Sequence, residues 1–377
     1  MTTHEAAPRQ RLRELGVEIG RFEPGPWNAI TDVAGVRVGH CSVLDGSART
    51  GVTAILPNND DIFARRLLGG AFILNGAGEM SGLIQLQEWG LLETPILLTN
   101  TLAVGKASSA LVEHMVRRHP HIGSEHDVII PLVGECDDSF VNDIAGQHVK
   151  REHVYEALDG ARSGPVEEGN VGGGTGMVSF DLKGGIGTSS RLVPIGKQGD
   201  TDMYTLGVLV MSNVGRLEDL RIDGLQVSDE IEELIPDLVR RKSLYGSIIA
   251  VLATDAPLTS YQIQRLCKRV ALGIGRVGSF AAHGSGEIVI GFSTANEVAR
   301  SFTGGKFSNL KVLHDFYVDP LYQAALECTE EAILNALCMA TSMQSARGEL
   351  ISAIPLDVVR LVGDFKAYRA SQRFTGK

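Results

Sequence analysis

Five glycine-serine pairs occur in this 377-residue chain, and one stands where a serine could become a nucleophile. Gly246-Ser247 directly precedes the apolar run Ile248-Ile249-Ala250-Val251-Leu252-Ala253, which Thr254-Asp255-Ala256-Pro257 closes. That pattern predicts a buried strand followed by a turn. A hydroxyl is a weak nucleophile at neutral pH, and one base able to activate it is the free α-amine of its own residue. That amine titrates at about 8 in model peptides, so part of it is unprotonated under ordinary conditions. Cutting the bond ahead of Ser247 would supply hydroxyl and amine together. Before the cut, the same hydroxyl can attack the carbonyl of Gly246, where glycine tolerates backbone angles other residues avoid. The remaining pairs, Gly46-Ser47, Gly123-Ser124, Gly278-Ser279 and Gly284-Ser285, read as turns.

Such chemistry needs partners for the amine and for the oxyanion. Ser285 and Glu287, in Ala282-His283-Gly284-Ser285-Gly286-Glu287-Ile288, are two apart at the entry to a strand and so face one side of it. A hydroxyl and a carboxylate placed together could hold the amine of residue 247 and set its pKa. The same spacing also fits an exposed hairpin edge. Asn213 ends the apolar run Leu209-Val210-Met211-Ser212, where its amide could donate to an oxyanion or simply form a turn.

Other motifs carry less. Gly273-Ile274-Gly275-Arg276-Val277-Gly278 has dinucleotide-site spacing but follows a helical pattern, whereas that fingerprint must follow a strand and open a helix. Gly169 to Met177 is glycine-rich without the lysine of a phosphate-binding loop, and reads as a tight turn between strands or a ligand-facing loop. His119, His121 and His126 lack metal-ligand spacing and read as loop histidines. No metal and no cofactor are expected.

The elements around these residues mix strands and helices. Strands are predicted within 29–40, 51–57, 71–74, 128–133 and 204–211, and helices over 106–118, 153–162, 259–272 and 320–345. The helix after Thr259 has a capping box in Thr259-Ser260-Tyr261-Gln262. Without strict strand-helix alternation, the pattern points to sheets sandwiched by helices. The stretch 215–245, rich in Arg, Asp and Glu, reads as a surface loop and helix ahead of the cut.

A hydrophobic share of 44% supports a large core, and the net charge of -10 with no basic stripe argues against nucleic acid. A small molecule is the expected partner. No apolar leader or 18-residue apolar run is present, which predicts a cytoplasmic chain without a membrane partner. Five cysteines without C-x-x-C spacing are expected to be reduced and mostly buried; Cys136 alone lies in a polar run.

Several of these segments, taken in order, resemble the DmpA family of self-processing L-aminopeptidase/D-esterases and β-peptidyl aminopeptidases. The matching runs are Trp27 to Val36, Arg49 to Ile55, Asn75 to Met80, Thr99-Asn100-Thr101, Glu168 to Gly176, Gly246-Ser247-Ile248-Ile249, Ala253 to Pro257 and Phe292 to Asn296. The resemblance implies a four-layer α/β/β/α sandwich like that of N-terminal nucleophile hydrolases, with different connectivity. It implies one domain over 1–377, cut between Gly246 and Ser247 into chains 1–246 and 247–377 that assemble as a tetramer of heterodimers. Ser247 would be the nucleophile, Ser285 and Glu287 would tune its amine, and Asn213 would serve the oxyanion hole. Glu135 resembles the carboxylate that holds the free ammonium of a small peptide, amide or ester substrate, so that N-terminal residues are released.

After Glu135 the chain departs from the family. An aromatic residue followed by Asp-Gly is usual there, and Asp137-Asp138-Ser139 stands in its place. Phe140 is left as a candidate wall of the substrate pocket. Two other outcomes stay open at this level: a self-processing acyltransferase, and an unprocessed scaffold for assembly or binding.

Overall fold

Burial of the 248–253 run on both faces decides the architecture. The structure is a computed structural model that describes residues 8–375 apart from 60, 198–199, 243–244 and 301–305. In chain order, the strands of its two large sheets are β1 Arg37–Val43, β2 Thr50–Leu56, β3 Arg65–Gly76, β4 Met80–Ser81, β5 Leu91–Leu92, β6 Ile96–Asn100, β7 Leu132–Cys136, β8 Gly185–Lys197, β9 Asp200–Asn213, β10 Tyr245–Thr254 and β11 Gly284–Ala299. One sheet has the order β1-β2-β6-β7-β4, the other β8-β9-β10-β11-β3-β5. The helices that cover them are α1 Val104–Arg118, α2 Arg151–Asp159, α3 Ser260–Arg276 and α4 Asp319–Met339.

Alternate residues of β10 go to opposite cores. Ile248, Ala250 and Leu252 pack with α3 and α4, while Ile249, Val251 and Ala253 face the five-stranded sheet, where a β-carbon on Gly134 would stand 3.3 Å from Ile249. A strand covered on both sides has no polar face, which is why the sequence reads as a continuous apolar run. Helices α1 and α2 close the far side of the five-stranded sheet. The layers are therefore α/β/β/α, as the resemblance implies.

Pairing places the candidate groups around β10. Its antiparallel neighbour β9 ends at Asn213 opposite Ser247, and its parallel neighbour β11 sets Ser285 opposite Gly246 and Glu287 opposite Ile248. Strand order alone thus gathers residues 74 and 38 positions apart in sequence.

Some element boundaries differ from the sequence reading. The strand expected over 128–133 begins only at Leu132, after Pro131, whose ring nitrogen has no hydrogen to give a ladder; it continues to Cys136 and so includes Glu135. The 29–40 segment opens with a 3-10 turn at Ile30–Asp32, where the Asp32 carboxylate accepts from the amides of Trp27 and Ala29, and β1 starts at Arg37. Helix α4 ends at Met339, short of residue 345. The capping box at Thr259 forms: its hydroxyl accepts from Gln262 N, and Gln262 Oε1 accepts from Thr259 N at 2.9 Å. Gly273 lies inside α3, where a β-carbon would come within 2.6 Å of Thr329 on α4, so the dinucleotide-like spacing serves helix packing. The Gly169–Met177 tract forms a buried 3-10 turn at Gly172–Gly174, nearer the turn reading than the ligand loop. No helix among the described residues is long and apolar enough to cross a membrane.

Helix α4 is locked to β8 by a buried ion cluster. Arg191 is wholly buried and donates to Glu331 at 2.6 Å and Glu327 at 3.3 Å, both also wholly buried. Removing one partner of such a cluster leaves charge without solvent, at a cost of about 3–5 kcal/mol. Arg191→Leu is expected to lose that much in urea or thermal unfolding, and a loss below about 1 kcal/mol would show that the carboxylates find other partners.

Candidate active site

Ser247 lines a cavity of about 1020 Å³ together with Gly246, Asn213, Glu135, Phe140 and Asp137. The residue is 4% exposed, and its hydroxyl donates to the carbonyl oxygen of its own predecessor, Gly246, at 2.6 Å. Nucleophile and candidate scissile carbonyl are therefore adjacent in the continuous chain. Gly246 does not occupy the left-handed backbone region, contrary to the expectation of strained angles. Glycine is required here for room: a β-carbon would stand 2.9 Å from the Asn213 carbonyl oxygen and 3.3 Å from the α-carbon of Val214.

Cross-strand partners share a face of the sheet. Asn213 is the partner of Ser247, so its amide and the hydroxyl project together. The amide's Oδ1 accepts from Val178 N at 2.8 Å, and one Nδ2 hydrogen goes to the Asp137 carbonyl at 2.8 Å. An amide nitrogen has two hydrogens, which leaves one for an oxyanion. Ser285 and Glu287 instead share the face of Gly246 and Ile248, and Ser247 is opposite Gly286. The Ser285 hydroxyl lies 3.5 Å from where a β-carbon on Gly246 would be. This pair therefore flanks the amide between residues 246 and 247, where a new amine would appear.

Ser285 Oγ donates to Glu287 Oε1, while Glu287 Oε2 is buried and has no hydrogen-bond partner. Burial pushes the Glu287 carboxyl above its usual range, against the opposing effect of the Ser285 hydrogen bond. An unpaired buried carboxylate oxygen beside a future ammonium is a ready counter-charge. The exposed-edge reading of this pair fails, because both residues are buried between two neighbouring strands.

Glu135 sits on β7, across the cavity from β10. Glu79 N donates to its Oε1 at 2.8 Å, and Thr101 Oγ1 donates to its Oε2. Burial raises its pKa, with these two hydrogen bonds pulling the other way. Thr101 and Glu79 carry no role in the sequence reading, although both lie in runs that match the family; only the tertiary fold shows that they hold this carboxylate. Phe140 is half-buried at the cavity wall, against Val141, Val178 and Ile351.

The departing segment splits in two. Asp137 is exposed and lines the cavity. Asp138 is wholly buried, accepts from Asn142 Nδ2 at 2.9 Å, and is pushed up to about 7 by burial. Asp137 and Ser139, which both line the cavity, thus change what a substrate meets. All five cysteines are unpaired and buried, and Cys136 points away from water with its thiol raised well above its usual range by burial. His119 stacks on Phe63 and pairs with Asp61, while His121 pairs with Glu125; among the described residues no group of three or more His, Cys, Asp or Glu could hold a metal.

The model of peptidase family S58 matches residues 28–351. The chain belongs to that family. It is 40% identical to the β-peptidyl aminopeptidase BapA of Sphingosinicella xenopeptidilytica over 92% of this chain and 89% of that one. Among solved structures it is similar to the L-aminopeptidase D-Ala-esterase/amidase of Ochrobactrum anthropi, a prototype of the serine aminopeptidases with a variant of the Ntn hydrolase fold. That match has a TM-score of 0.87 and 38% identity over 95% of this chain and 98% of that one. A Burkholderia β-aminopeptidase matches with a TM-score of 0.84 and 39% identity over 94% and 98%. The S58 chain is accordingly a serine aminopeptidase of the Ntn type, and the cavity containing Ser247 is where its candidate groups converge.

Proposed function

We propose that this S58 chain cuts itself before Ser247 and then releases N-terminal residues from small peptides, amino-acid amides or esters that carry a free amine. The observation that carries the reading is the contact of Ser247 Oγ with the Gly246 carbonyl, inside a cavity that also holds Asn213 and Glu135. In the first reaction Oγ attacks the Gly246 carbonyl carbon and its proton passes to the departing nitrogen. The C–N bond breaks, an ester links Gly246 to Ser247, and water hydrolyses it to a Gly246 carboxylate. The Ser247 amine is now free beside Ser285 and Glu287.

In turnover that amine takes the proton of its own hydroxyl as Oγ attacks the substrate acyl carbon. The free Asn213 N–H stabilises the oxyanion, and the collapsing intermediate returns the proton to the leaving amine or alcohol. Water then hydrolyses the acyl-enzyme. Glu135 holds the substrate ammonium, which restricts cleavage to the first residue of a chain. Phe140 walls the acyl pocket.

The natures of the relatives support amide and peptide substrates, including those with β-linked residues. Assembly into a homo-oligomer belongs to the same proposal, supported by strongly exposed apolar side chains such as Phe307 and Phe316. Five buried, unpaired cysteines support a reducing, cytoplasmic setting.

Intact mass of purified active protein tests the reading. Chains of 246 and 131 residues are expected, and free amino acid is expected from peptides with a free amine but not from their N-acetylated forms. A single 377-residue species in a fully active preparation would overturn self-cleavage.

A further inference from the structure

The charged stretch ahead of the scissile bond is not uniformly a solvated surface. Arg240 behaves as surface charge, pairing with Glu232 at 2.5 Å with 41% of its side chain exposed. Its neighbour Arg241 turns inward, with 10% of its side chain exposed. Arg241 NH1 donates to the carbonyl oxygen of Asn213 at 3.3 Å and NH2 to that of Gly215 at 3.0 Å. Its backbone N donates to Asp181 Oδ1 at 3.3 Å, and the other oxygen of that buried carboxylate accepts from Leu217 N at 3.2 Å.

The Asn213 carbonyl is the shared element. The same oxygen that accepts from Arg241 is the nearest atom to a β-carbon built on Gly246, at 2.9 Å. Asn213 is also the register partner of Ser247. The chain is thus held to one strand end at Arg241, by hydrogen bonds, and again at Ser247, by strand pairing. Holding reacting groups in place before reaction is worth a large rate factor.

We propose that Arg241 is a positioning residue for self-cleavage: its guanidinium anchors the segment before the scissile bond on the Asn213–Gly215 strand end and so presents the Gly246 carbonyl to Ser247 Oγ. This rests on the reading that Ser247 cuts the chain. The anchor acts through the backbone carbonyls of Asn213 and Gly215, at the wall of the Ser247 cavity. Guanidinium suits the task because its planar fork spans two carbonyls, which the single ammonium of lysine serves less well.

The test is a time course of maturation by denaturing electrophoresis, for chains freshly made by cell-free translation. Arg241→Ala is expected to cut about ten-fold or more slowly, equivalent to about 1.4 kcal/mol of barrier. Arg241→Lys is expected to fall between the two, and Arg240→Ala to cut at the wild-type rate. Added guanidinium ion at tens of millimolar is expected to speed Arg241→Ala and leave wild type unchanged, which a merely misfolded variant would not show. Arg241→Ala cutting within two-fold of wild type, or failing to respond both to guanidinium and to lysine in its place, overturns the role. A wild type that stays whole overturns the self-cleavage reading and this inference together; a wild type that cuts beside an equally fast Arg241→Ala overturns this inference alone.

Discussion

Ser247→Ala is expected to remain one chain of 377 residues and to lose turnover by a factor on the order of 10⁴ or more. The change removes one oxygen and should leave the fold intact, because residue 247 lies in β10 between two neighbouring strands and alanine fits the same backbone. Loss of activity alone would not separate a missing nucleophile from a missing cut, since one hydroxyl is asked to perform both. Two further measurements separate them. Wild type mixed with an ester substrate and quenched early should carry the acyl mass on the 131-residue chain. Acylation of the 246-residue chain, or normal hydrolysis by the full-length variant, would remove Ser247 from the mechanism. Unfolding of Ser247→Ala should match that of uncut protein, which keeps a folding defect from passing as a chemical one.

The sequence made one side of the site readable because strands keep simple parity. Ser285 and Glu287, two apart, do meet, and the apolar run after Ser247 is the doubly covered β10. Placing Asn213 beside Ser247 and the 285–287 pair on the face of Gly246 needed strand order and register, which no local pattern carries. The resemblance supplied the candidates; the register supplied their geometry. Arg241 was invisible for a different reason. In a run where Arg216, Arg221, Arg240 and Lys242 are all plausible surface charges, nothing local marks the one that turns back onto backbone carbonyls. The reason for glycine at 246 was likewise misjudged, since a crowded neighbour on the next strand and an unusual φ leave the same letter in a sequence.

Glu135→Gln is expected to weaken kcat/KM for substrates with a free amine by about ten- to a hundred-fold, the size of one charge-assisted hydrogen bond. Glutamine keeps the volume of the side chain, and its one carbonyl oxygen can still accept from Glu79 N while the Thr101 hydroxyl rotates to accept from the new NH2. What is lost is the charge that faces the ammonium. Binding made equally in ground and transition states shows in KM, so most of the effect should appear there with kcat little changed. The preference for free over N-acetylated amine should shrink in the same measure. The pH profile gives an independent sign. Burial raises the Glu135 pKa in the empty site, so the carboxylate is charged above that raised value and neutral below it. In wild type, KM for a permanently charged quaternary-ammonium analogue should therefore rise as pH falls through that range, and Glu135→Gln should lack this acid limb. An unchanged KM profile in the variant would place ammonium recognition elsewhere in the cavity, with exposed Asp137 as the carboxylate to exchange next.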